Sequence, residues 1–127
     1  MTSFDATAVP KDYDLLDATW VMPGRIEPLD GYLHRTTHSV DTDAIKSLPV
    51  ADRVDKAPSI FGQAGLGGHR PIAVYDRAGL FSAPWVWWLL RSHGCEAALI
   101  EGWSDTTTDI PQAAPIEFQS TGNPALM

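Results

Sequence analysis

Four groups in this chain have side chains that could do chemistry: the single thiol Cys95, the carboxylate Asp76, the histidines His34 and His38, and Asp17 inside an apolar run. A cysteine is a nucleophile only where its surroundings expose it and favour the thiolate. Cys95 follows Gly94 at the start of an expected strand, the setting of a small buried hydrophobe. An aspartate between a strand and a helix can serve as an acyl or phosphoryl nucleophile. It can equally accept hydrogen bonds from the amides at the helix start. His34 and His38, with Asp41 and Asp43 nearby, have the i, i+4 spacing of metal ligands on a helix face. With two threonines between them and no glutamate base they read as loop histidines, so no metal and no cofactor is expected. Asp17 must be hydrogen-bonded if its strand is buried, which points to structure before catalysis.

The element that must position Asp76 is the stretch 71–103, PIAVYDRAGLFSAPWVWWLLRSHGCEAALIEGW. Its first residues, 71–75, form a short apolar run rich in β-branched and aromatic types, which predicts a strand buried on both faces. Asp76, Arg77, Ala78, Gly79, Leu80 and Phe81 come next as a loop. Ser82 is a good N-cap residue and Pro84 suits a first helical turn. A helix then carries Trp85, Trp87, Trp88, Leu89 and Leu90 as far as His93, and Gly94 stops it. Residues 96–100 make the next strand. A strand–loop–helix–strand unit implies parallel strands and a right-handed crossover, with the loop mouth at the carboxyl end of a central strand. There the Asp76 carboxylate would dock among the amides of the loop and plug it from within. Arg77 beside it would pair with an acid at an interface or lie in solvent.

Around this unit the sequence gives a strand over 15–21 (LLDATWV), closed by Met22, Pro23 and Gly24. Partial helical spacing runs through Ile26, Leu29, Tyr32 and Leu33. A short strand is expected over 38–40, a helical turn over 43–47, and a helix over 58–66 with Pro58 near its start. Residues 1–14 read as an extended arm, 15–103 as the folded domain, and 104–127 as a polar tail or linker in which only 116–118 could make an edge strand. The chain of 127 residues fits one domain, and its net charge of -7 argues against nucleic-acid or anionic-membrane partners. No leader-like start, no membrane-length apolar run and one unpaired cysteine point to the cytoplasm. The nearly all-round apolar helix 85–90 implies cover on both sides.

LLDATWVMP together with VYDRAGLFSAPWVWWLLRSHGCEAALIEGW resembles the N-terminal domain of two-domain sulfurtransferases, the rhodanese and 3-mercaptopyruvate sulfurtransferase family. The segment 34–45 (HRTTHSVDTDAI) stands where the family has His-Ile-Pro-Gly-Ala and then Asp-x-Asp. His34 keeps the histidine, while Arg35, Thr36 and Thr37 replace the rest of that element. The resemblance implies an α/β, rhodanese-like three-layer fold, a central mostly parallel twisted sheet with helices on both faces. It also implies sulfur transfer through a cysteine persulfide on an active loop, a cysteine that the family carries in its C-terminal domain. The equivalent place here is Asp76, so residues 76–82 are a degenerate active loop and His34 is a further candidate. The resemblance leaves two expectations. The first is a catalytically inactive module that acts by self-association or on a sulfurtransferase-type partner. The second is a sulfurtransferase that uses Cys95 or a cysteine from a partner chain.

Overall fold

The computed structural model describes residues 3–20, 31–77, 82–102, 105–111 and 113–120. Five strands form one parallel sheet in the order β1-β6-β5-β2-β4. They are β1 (Ser3–Asp5), β2 (Asp14–Asp17), β4 (Thr36–Ser39), β5 (Ile72–Tyr75) and β6 (Ala97–Glu101). A small antiparallel ribbon pairs β3 (Tyr32–Leu33) with β7 (Thr106–Thr107). The helices are α1 (Thr42–Lys46), α2 (Arg53–Gln63) and α3 (Ala83–Ser92), with a 3-10 turn at Val50–Asp52 leading into α2.

The central strand β5 is buried at every position, and this is why its sequence shows no polar alternation. Its side chains divide between two cores. Ile72 and Val74 join Leu16, Leu99 and residues of all three helices, including Ile45, Phe61, Val86 and Leu90. Ala73 and Tyr75 face the other way, onto Leu15, Leu33, Ile100 and Val9. Among the described residues the helices therefore stack on one face. On the opposite face the chain between β1 and β2, with β3, provides the cover. The parallel sheet and the β5–α3–β6 crossover are as the sequence predicts.

Four boundaries differ from the sequence reading. β2 ends at Asp17 and not at residue 21, because Thr19 turns its hydroxyl onto the Asp17 carboxylate and takes the Arg77 amide at 2.8 Å. Helix α2 begins at Arg53, a turn and a half before Pro58. A proline inside a helix leaves the carbonyl four residues earlier without its donor. Here that carbonyl is Val54 O, and His93 Nε2 donates to it at 2.6 Å. Residues 1–14 are not a free arm, since β1 pairs with β6 along the sheet edge. Nor is 104–127 simply a tail: β7 pairs with β3, Ile116 N donates to Gly62 O at 2.9 Å, and Phe118 is buried against Phe61. An ideal Cβ on Gly62 would stand 2.3 Å from Ile116 O, so only glycine admits this approach. The short strands read over 38–40 and 116–118 become β4 and a docked extended segment. The expected turn at 22–24 and the spacing at Ile26 and Leu29 lie outside the described residues. Tyr32 and Leu33 are strand.

Candidate functional site

Asp76 sits where β5 ends, 3% exposed, with its side chain turned to the amino end of α3. Its Oδ2 accepts from the amides of Ser82 at 2.9 Å and Ala83 at 2.8 Å. A helix start leaves such donors without intrahelical partners and carries positive partial charge, so a buried carboxylate is held there by charge-assisted bonds. This corrects the role read for Ser82. Ser82 occupies the N-cap position but makes no capping bond. Its hydroxyl donates to Ala18 O and accepts from Trp20 N, which ties α3 to the end of β2. Asp76 does the capping, across the loop. The expected donors Ala78, Gly79, Leu80 and Phe81 lie outside the described residues.

Arg77 does not lie free in solvent. Its guanidinium rests over the Tyr32 ring, 4.5 Å from the centroid, with Nε 3.8 Å from Asp17 Oδ1. That separation is too long for a hydrogen bond, and Arg77 Nε is buried with no hydrogen-bond partner among the described residues. Asp17 instead takes Thr19 Oγ1 and, at 3.4 Å, Ser39 Oγ. Burial pushes its carboxyl above the ordinary value of 3.8, and these hydrogen bonds and Arg77 pull against that shift. Tyr75 completes the other face: its hydroxyl accepts from Leu33 N at 3.1 Å and shares a 2.9 Å bond with Thr36 Oγ1.

Cys95 is fully buried just before β6, at the amino edge of the parallel sheet, whereas Asp76 is at the carboxyl edge. Its sulfur lies 3.8 Å from Arg70 O and 3.7 Å from Glu96 O, and burial pushes the thiol up to about 12. His34 is exposed in the turn between β3 and β4, its amide donating to Asp105 O at 2.9 Å. His38 is half-buried on β4, with Nδ1 2.9 Å from Ala64 O and Nε2 3.7 Å from Asp14 Oδ2. The candidates are thus dispersed. The structure joins Asp76 with Ser82 at one end of the sheet and leaves Cys95 at the other and His34 in the β3–β4 turn. Among the described residues no three His, Cys, Asp or Glu side chains are grouped to hold a metal ion.

Beside the start of α3 opens a cleft of about 290 Å³ lined by Trp20, Lys46, Arg53, Ser82 and Trp85. Of these only Ser82 is a site residue on the sequence reading. The others come from the chain after β2, the end of α1 and the starts of α2 and α3, and no spacing in the sequence links them.

The sequence is 34% identical to the probable 3-mercaptopyruvate sulfurtransferase of Schizosaccharomyces pombe over 92 residues, 65% of this chain and 30% of that protein. It is 34% identical to human 3-mercaptopyruvate sulfurtransferase over 77 residues, 52% of this chain and 26% of that one. The chain therefore spans less than a third of the curated relatives it matches. Its fold matches the crystal structure of SseA from Escherichia coli, described as the rhodanese fold of 3-mercaptopyruvate sulfotransferases. The TM-score is 0.67 at 23% identity, covering 98% of this chain and 58% of that one. No protein-family model matches the chain. The chain thus has a rhodanese-like fold, and over part of its length its sequence is similar to 3-mercaptopyruvate sulfurtransferases.

Proposed function

We propose that this chain is a non-catalytic rhodanese-like module that works by association, either with a second copy of itself or with a sulfurtransferase-type protein. The observation that carries this reading is Asp76. On the resemblance, Asp76 falls where the family's active loop has its cysteine, and this carboxylate is buried and engaged with the Ser82 and Ala83 amides. Sulfur relay needs a polarisable sulfur that attacks as thiolate and then holds a sulfane sulfur as persulfide. A carboxylate oxygen does neither. Asp76 also takes up two of the amides that would otherwise face an anionic substrate.

The second reading, sulfurtransferase activity, draws on the names of the curated relatives. In this chain it would fall to Cys95 or to a cysteine brought by a partner. The position of Cys95 disfavours it, since a fully buried thiol with its pKa pushed up to about 12 is neutral and out of reach. A rhodanese or mercaptopyruvate assay on the purified protein, with mass spectrometry for a persulfide, separates the two. We expect neither turnover nor persulfide. Turnover that disappears in Cys95→Ser would refute the non-catalytic reading. No helix among the described residues is long and apolar enough to cross a membrane, and the single unpaired thiol suits a reducing, cytoplasmic setting.

A further inference from the structure

The cleft beside the start of α3 is a site of its own kind. Among the described residues that line it, two are cations, two are indoles, and none is an acid. The Lys46 ammonium lies 3.7 Å from the centroid of a Trp20 ring and 5.7 Å from that of Trp85, and the Arg53 guanidinium carbon is 5.8 Å from the Trp85 ring. Arg53 is held in place from behind: Nη2 donates at 3.1 Å to Lys46 O, a carbonyl left open at the end of α1, and Nε at 3.2 Å to Leu48 O just beyond it. Its Nη1 makes no hydrogen bond among the described residues. Lys46 and Arg53 also form no ion pair among the described residues, whereas Lys56, Arg70 and Arg77 each have a carboxylate close by. In a chain with 16 acidic and 9 basic residues, two neighbouring cations without a counter-charge among the described residues are a local reversal of the field.

The start of α3 adds no donors here, since Asp76 takes the Ser82 and Ala83 amides and Pro84 has none. Binding would rest on Lys46 Nζ and Arg53 Nη1, with apolar ligand surface against the indoles. A bare inorganic anion would use the charges and waste the aromatic walls. An apolar molecule would use the walls and leave the cations unanswered. We infer that the cleft binds a small organic carboxylate, its carboxylate on Lys46 and Arg53 and its apolar body against Trp20 and Trp85. The inference goes beyond the proposed function and stands whether or not the module is catalytic.

The test is a titration of ¹⁵N-labelled full chain with benzoate at fixed ionic strength, following the indole N–H resonances of Trp20 and Trp85. Benzyl alcohol serves as the uncharged analogue. Both resonances should move saturably with benzoate and stay in place with benzyl alcohol. Affinity should fall tenfold or more in Lys46→Met, which keeps the aliphatic stem over Trp20, and should survive in Lys46→Arg. An unchanged affinity in Lys46→Met, equal shifts with benzyl alcohol, or shifts that never saturate would overturn the assignment. Dispersed amide spectra of both variants establish that they are folded, so a loss in Lys46→Met with retention in Lys46→Arg reports on the charge.

Discussion

Two buried aspartates, each 3% exposed, are held in opposite ways. Asp76 accepts two main-chain amides at a helix start, where its charge is wanted. Replacing it by alanine leaves both amides buried without an acceptor, and Asp76→Ala should cost about 3 kcal/mol in denaturant unfolding. A loss below about 0.5 kcal/mol would mean that the carboxylate does not cap α3. Asp17 relies on hydroxyls and on an arginine too distant to bond, and its carboxyl titrates above the ordinary value of 3.8 because it is buried. The folded protein therefore keeps a proton that the unfolded chain has already released. Asp17 contributes its full share of stability below 3.8 and loses it as pH rises through the higher folded value. Urea midpoints of the parent chain and Asp17→Asn, compared from acid to neutral pH, should move in the variant's favour as pH increases through that window. A difference that is flat with pH would rule out the burial effect.

Among the elements, α2 shows how a rule broken locally is made good by a neighbour. Pro58 frees the Val54 carbonyl, and His93, at the end of α3, supplies the missing donor. The same helix ends against the 113–120 segment through Gly62, and this docking can be tested. Gly62→Ala sets a methyl 2.3 Å from Ile116 O and should lift the segment away. We expect faster proteolysis within it and a loss of about 1–3 kcal/mol, the usual cost of overpacking. Unchanged cleavage would show that the segment gives way to the methyl group without leaving. The sequence announced β5, α3 and β6 clearly, because a strand buried on both faces and an apolar helix with its proline and glycine punctuation leave few other readings. It also placed Asp76 correctly at the strand end. It could not show that Asp76 and not Ser82 caps α3, since both residues suit an N-cap and the Ser82 hydroxyl is drawn off by Ala18 O and Trp20 N, which are distant in the chain. The helix start at Arg53 was hidden by Pro58, whose cost is met by a residue far along the chain. The docking of β1 and Phe118 was hidden because short segments of mixed polarity acquire their burial only from long-range partners. Nothing in the spacing of Trp20, Lys46, Arg53 and Trp85 could have joined them into a cleft.

At the scale of the whole molecule, the apolar α3 is not enclosed on all sides. Trp87 is 8% exposed, yet Trp88 in the same helix is 40% exposed, and Val50 and Ile116 reach 75% and 48%. The self-association arm of the proposed function expects Trp88→Glu to lower the weight-average sedimentation coefficient at constant concentration. Unfolding stability should change by no more than about 0.5 kcal/mol, as for other surface substitutions. Identical sedimentation of variant and parent would remove Trp88 from any such contact.

The pairing of Ser3 with Leu99 sets the order in which the molecule can be completed. Within this sheet β1 is synthesised before the other four strands and has no neighbour until β6, the last of the five, emerges, so this edge of the sheet closes last. In the interval β1 is an unmatched strand edge, the kind of surface through which nascent chains aggregate or find one another.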